Sequence, residues 1–305
     1  MKIETSVLDK QGDFVDGLAQ SDFHVLDGGV ERPVAFFAPV NAPAQILVLL
    51  ETSPAVYLIH NQHLAAAYAL AEGLAADDEV ALVTYDQSPK AVLPFTSDKS
   101  AFLTALDKAE YTIGMGDLNF YDSASAVLDW ITSVPGKKAL VLITTGLDSS
   151  SPARWDALVQ KVRRADVVIF SVELGGPLRA EQDASKKPKQ KKSASARSNG
   201  STETSAEAKS TDPFAVADQA LRNLAAMTGG GAYFPESEQD FLPIYREIAS
   251  ALRHQYVLGI APAHDNQFHT LAVEVLGSSS QPSPAQTKHP KYRVFARAGY
   301  LAPGP

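Results

Sequence analysis

Two pentads along the chain, residues 46–50 and 139–143, carry no polar side chain, the pattern of strands buried on both faces of a parallel sheet. After the first, Leu64, Ala67, Tyr68, Ala71 and Leu74 form one stripe at helical spacing, and Asp77-Asp78 turns the chain into a strand over 80–85. A shorter strand over 91–95 precedes Thr96-Ser97-Asp98, side chains suited to cap a helix holding Phe102, Leu103 and Leu106. Residues 120–132 repeat the stripe through Phe120, Ala124, Val127, Leu128 and Ile131. Ser151-Pro152 predicts a further helix start, the helix running to about Ala165 before a buried strand over 167–172. Asp212-Pro213 gives the same signal to a helix with Val216, Ala220, Leu224 and Met227, which closes at Gly229-Gly230-Gly231 ahead of a short edge strand over 232–234. Such alternation predicts an α/β fold, a doubly wound and mostly parallel sheet with helices on both faces.

The ends of the chain read differently. Phe23-His24-Val25-Leu26, then Asp27-Gly28-Gly29, then Pro33-Val34-Ala35-Phe36-Phe37 gives a hairpin-like signal. Strands over 255–260, 271–276 and 292–296 are separated by polar, Pro- and Ser-rich loops. Neither set closes a core alone, which predicts one small antiparallel β domain built from both ends. A helix over 237–252 joins it to the sheet, with Ser237 and Asp240 as a capping box and Phe241, Ile244, Ile248 and Leu252 as its buried stripe. The expected organisation is therefore 1–40 and 255–305 as the two halves of the accessory β domain, 41–236 as the main domain, and 237–254 as the connecting helix.

Charge singles out one segment. The chain of 305 residues has a net charge of −8, yet residues 179–210 hold eight basic and four acidic side chains, so the remainder carries −12. Within 176–212 no apolar cluster can bury a core, which predicts a disordered, solvated basic insert. Its Lys186, Lys187, Lys189, Lys191 and Lys192 offer at most a weak anion contact. The acidic remainder argues against nucleic acid as the main partner. The absence of cysteine excludes disulfides, thiolate metal sites and cysteine nucleophiles. No run approaches the ~18 apolar residues of a transmembrane helix, and no export signal opens the chain.

The order of elements, with Asp22-Phe23-His24-Val25-Leu26-Asp27-Gly28, Pro94-Phe95-Thr96-Ser97-Asp98, Thr228-Gly229-Gly230 and Leu252-Arg253-His254-Gln255-Tyr256-Val257-Leu258-Gly259, resembles the bacterial VWFA-related domain family. The resemblance implies a von Willebrand factor type A sheet, an interaction or adhesion role, an extracytoplasmic location and a loop face holding Mg²⁺ or Mn²⁺ through oxygen side chains. Carried over position by position, that ligand set is depleted. Glu51 stands for the first aspartate, Ser53 is kept, Ala55 replaces a serine, Leu118 a threonine, and Thr145 an aspartate. We expect no bound metal and no cofactor; the alternative is a Mg²⁺ or Mn²⁺ site rebuilt from Asp117, Asn119 or Asp148. A partner, expected to be a protein, would then meet Thr52, Ser53, Pro54, Asp117, Leu118, Asn119, Phe120, Thr144 and Thr145.

Enzymatic readings are weaker. Ser53 lacks the glycine-flanked elbow of a hydrolase nucleophile, and no histidine is spaced to serve it. Glu51 with Asp122 or Asp148 is a carboxylate pair only if the fold brings them together. Gly229-Gly230-Gly231 follows a helix rather than opening one, so a helix cap is preferred to a phosphate cradle. His254, at a helix-to-strand junction, reads as a packing or dipole-compensating residue. The expectation is a non-catalytic binding module.

Overall fold

The structure, a computed structural model, describes residues 1–57, 60–112, 116–176, 179, 212–276 and 292–304. Four strands come first: β1 (Lys2–Leu8), β2 (Phe23–Asp27), β3 (Val30–Arg32) and β4 (Phe36–Val40). Next come β5 (Ala44–Glu51), α1 (Pro54–Tyr57), α2 (His60–Gly73), β6 (Glu79–Tyr85), β7 (Pro89–Thr96) and α3 (Lys99–Asp107). The chain continues through α4 (Phe120–Thr132), β8 (Lys137–Thr144), α5 (Trp155–Arg164), β9 (Val168–Glu173), α6 (Pro213–Thr228) and β10 (Ala232–Tyr233). It closes with α7 (Phe241–Arg253), β11 (Gln255–Gly259), β12 (Phe268–Val275), β13 (Arg293–Ala296) and β14 (Gly299–Leu301).

The central sheet has the order β10-β9-β8-β5-β6-β7. All its neighbours are parallel except the β6–β7 pair. Its middle strand explains the first apolar pentad. Ile46, Val48 and Leu50 of β5 face a core with α2, α3 and α7, while Leu47 and Leu49 face a second core with α4, α5 and α6. With both faces covered there is no solvent side on which a polar residue would be stable.

The two chain ends interleave, as expected, and do so as two antiparallel sheets, ordered β13-β1-β11-β4 and β14-β12-β2-β3. Each mixes N- and C-terminal strands. Ile3, Val7, Phe23, Val25, Tyr256 and Leu258 share a third apolar core. The hairpin after Asp27 closes on Val30–Arg32, whereas the second arm expected from the sequence becomes β4 and pairs with β11 in the other sheet.

Two helix starts shift. α5 opens at Trp155, with Arg154 at its N-cap and no side-chain cap; the Ser151 hydroxyl instead donates to Asp148 Oδ1 at 2.5 Å. α7 opens at Phe241, because Asp240 turns its carboxylate back onto the Ser237 and Glu236 amides and a single 3₁₀ turn precedes the helix. α6 starts and stops where the residues say: Asp212 caps the Phe214 amide, and Gly229 ends it in the left-handed region at φ 85°. The lysines of the basic insert lie outside the described residues.

Candidate functional site

In this strand order the chain leaves β5 toward β6 on one side and returns to β8 on the other, so the carboxyl ends of β5 and β8 border the crevice where such sheets bind ligands. Glu51 ends β5 and is fully buried. Its carboxylate is surrounded by donors. Ser53 Oγ reaches Oε1 at 2.6 Å. Oε2 receives the Thr145 amide at 2.7 Å, the Thr145 hydroxyl at 2.9 Å, the Thr144 hydroxyl at 3.0 Å and the Tyr85 hydroxyl at 3.2 Å. A carboxylate has about four lone-pair sites; four of these contacts crowd Oε2, where Tyr85 and Thr144 also bond each other at 2.5 Å, and Ser53 is the one donor on Oε1 among the described residues. Burial first, and then the Glu51 charge, hold the Tyr85 phenol well above its usual range, which keeps it a donor.

The surrounding loops are tied down by their own polar groups. The Thr52 amide and hydroxyl both donate to the Tyr85 carbonyl, and Thr52 itself is buried. Gly146, at φ 69°, lets its amide reach the Thr144 hydroxyl at 2.8 Å. The Leu118 amide donates to the Ser149 hydroxyl at 2.7 Å, and the Leu118 side chain leans on the α4 core. Asn119 is held at both ends of its amide, by the Gln87 carbonyl and the Ser150 hydroxyl. Asp148 accepts from the Tyr121 amide and from Ser151, and Asp122 accepts from the Ala153 amide.

The expected site residues thus separate into two groups. Glu51, Ser53, Thr144 and Thr145 are brought together, but as an internal network. Thr52, Thr144, Thr145 and Phe120 are buried, so the hydroxyl and ring contacts expected of them toward a partner are already made inside the protein. Pro54, Leu118 and Asn119 are half-buried and Asp117 is exposed; these remain at the surface, and Asp117 has no ion pair or hydrogen bond among the described residues. Ala55 lies in α1, and a methyl side chain carries no ligand oxygen. Ser53 points its hydroxyl at Glu51 and not at a histidine. Neither Asp122 nor Asp148 is bonded to Glu51, their carboxylates being turned to the α4–α5 connection. His254 stacks on Phe14 with ring centroids 5.0 Å apart, a packing role. Tyr85 escaped the sequence reading, because a tyrosine closing an apolar strand looks like core until its hydroxyl is seen to meet Glu51.

The family profile described as the von Willebrand factor type A domain matches residues 46–203, just over half of the chain. The chain belongs to this family. Type A domains are interaction and adhesion modules, and this one has the family's sheet and loop face. No curated protein matches the sequence. Among solved structures, the type A domain here is similar to proximal thread matrix protein 1 from the mussel byssus, at 12% identity and TM-score 0.50, covering 72% of this chain and 49% of that one. It is also similar to a von Willebrand factor type A protein from Catenulispora acidiphila, at 11% identity and TM-score 0.48, over 92% of this chain and 74% of that one. An aerotolerance-related membrane protein from Bacteroides fragilis matches at 14% identity and TM-score 0.46, over 68% of this chain and 98% of that one. In the present chain no helix of the described residues is long and apolar enough to cross a membrane.

Proposed function

We propose that the loop face of this type A domain binds a protein partner without a divalent ion and without catalysis. The observation that carries the reading is the Glu51 carboxylate, whose Oε2 is taken up by Tyr85, Thr144 and Thr145 and whose Oε1 accepts from Ser53. A small hard cation needs about six oxygens near octahedral geometry. Here the donor protons converge on the one carboxylate that would lead the set, Ala55 and Leu118 supply no oxygen, and Thr145 supplies a neutral hydroxyl where a charge is needed. The donor set does not fit the ion. What remains for a partner is the rim of Pro54, Asp117, Leu118 and Asn119, an apolar contact flanked by one free carboxylate. An extracytoplasmic location follows from the family resemblance and would be read by cell fractionation.

The test is a titration with Mg²⁺ and Mn²⁺. Millimolar metal is expected to leave the melting temperature unchanged, whereas Glu51→Asp, Ala55→Ser, Leu118→Thr and Thr145→Asp together produce metal-dependent stabilisation, about 1.4 kcal/mol at ten times the dissociation constant. Calorimetric Mg²⁺ binding by the unaltered chain would overturn the reading. Partner capture in excess chelator is expected to survive, and to be lost in an Asp117→Lys, Leu118→Asp variant.

A further inference from the structure

At the opposite end of the central sheet lies a polar cavity of 340 Å³ lined by Lys2, Glu4, Lys137, Lys138, Asp166 and Arg297. A second cavity of 470 Å³ shares Asp166 and Arg297 with it and adds Arg163 and Arg164. Lys137 begins β8 and Thr144 ends it, so roughly 23 Å of strand separate this place from the Glu51 network. It is a different site. It is also out of character with a chain whose net charge is −8.

Three cations of the first cavity, Lys137, Lys138 and Arg297, are half-buried, and among the described residues only Lys138 stands within salt-bridge distance of a carboxylate. Arg297 donates from Nε to the Gly299 carbonyl at 3.0 Å, and no carboxylate among the described residues pairs with its guanidinium. Lys137 Nζ donates to the Leu252 carbonyl. Lys138 Nζ donates to the Gly136 carbonyl at 3.1 Å and stands 3.8 Å from Asp166. Lys2 has no hydrogen bond or ion pair among the described residues. Burial lowers the Lys137 and Arg297 pKa values and raises that of Glu4. Partly desolvated charge that two carboxylates balance only in part destabilises a fold, and its retention in a cavity marks a place where a ligand supplies the missing partner.

Charge and shape select the ligand. Four cations against two carboxylates leave a surplus of two positive charges, and a phosphate monoester carries about −1.5 to −2 near neutrality. A guanidinium with both terminal nitrogens free matches phosphate oxygens as a fork. Glu4 and Asp166 remain as acceptors beside it, suited to hydroxyl donors. We infer that this cavity binds a small phosphate monoester with a hydroxyl-bearing body, a sugar or polyol phosphate, at the junction of β1 with the base of the central sheet.

Calorimetry and thermal shift at constant ionic strength test this, with inorganic phosphate and glucose 6-phosphate as probes and chloride and glucose as controls. Both phosphates are expected to bind and the controls not. Arg297→Gln should weaken binding of both phosphates about tenfold or more through loss of the fork, and Asp166→Asn should strengthen binding of inorganic phosphate by removing a competing anion. Both variants should remain folded by circular dichroism, and Glu51→Gln should leave the phosphate-induced shift, read from that variant's own lower melting temperature, unchanged, which separates this site from the loop face. Absence of binding at about 10 mM, a range where even weak ligands shift a melt, would overturn the inference. So would binding that neither Arg297→Gln nor Asp166→Asn alters.

Discussion

Glu51 separates charge from shape in this protein. Replacing it by glutamine keeps the volume but sets an NH₂ group against hydroxyls that now donate to an oxygen. Breaking a buried charged hydrogen-bond network this way is expected to destabilise the fold by about 2–4 kcal/mol in urea melts. Thr144→Val removes one donor and the acceptor of the Gly146 amide, for an expected loss of about 1–2 kcal/mol. A second buried acid acts through pH. Glu173 ends β9, and burial outweighs the Arg179 guanidinium in pushing its carboxyl up to about 7 from 4.5. Folding therefore takes up a proton between these values, and stability falls as pH rises from 4.5 toward 7. Glu173→Gln is expected to flatten that decline, by as much as about 3 kcal/mol for a shift of this size, as read from melts across the window.

Among the elements, α7 holds the most exacting position, because it packs on the central sheet and also ties into the terminal sheet of β1 and β13. Its Ile248 is fully buried in the core shared with α2, so Ile248→Ala should cost about 2–5 kcal/mol. Its Glu247 accepts from the Tyr233 hydroxyl of β10 at 3.0 Å and from Arg293 of β13. At the far edge His269 of β12 bonds Asp27 of β2 at 2.7 Å and Asp265 at 3.0 Å. The Asp265 and Asp27 bonds raise the His269 pKa above 6.5. The clamp's contribution is fully present below that value and is lost as pH rises through the raised one. His269→Gln should remove this dependence, visible as amide protection factors in β12 and β2 that no longer change with pH.

For the whole molecule, the interleaving of chain ends makes truncation an all-or-none matter. β1 lies between β13 and β11, and β12 lies between β14 and β2. Removing residues 1–40 strips partners from β11, β12 and β13 at once, and removing 255–305 does the same to β1, β2 and β4. Exposed edges with apolar faces aggregate. Each truncation is expected to be oligomeric or insoluble by light scattering; a monomeric 40–253 fragment with the stability of the full chain would contradict the interleaved arrangement.

What the residues alone determined was whatever depends on local period or on a single side chain's chemistry. The pentads at 46–50 and 139–143 could only be strands covered on both faces, the Asp212-Pro213 start and the Gly229 stop bound α6, and Ala55 and Leu118 lack ligand oxygens in any fold. Helix starts at α5 and α7 were misread because Ser151 and Asp240 had competing acceptors and amides that appear only after the loops are placed. The two sheets at the chain ends were legible as a shared antiparallel unit but not as two layers, since the register of β4 is decided by β11, more than two hundred residues away. The Glu51 network and the cationic cavity belonged wholly to tertiary structure. Ser53, Tyr85, Thr144 and Thr145 converge from three strands, and Lys2, Lys138 and Arg297 from nearly the full length of the chain. Whether a carboxylate is a ligand or a spent acceptor, and whether a lysine is solvated or waiting for an anion, depends on which groups surround it and how little water remains, and no spacing in the sequence encodes that.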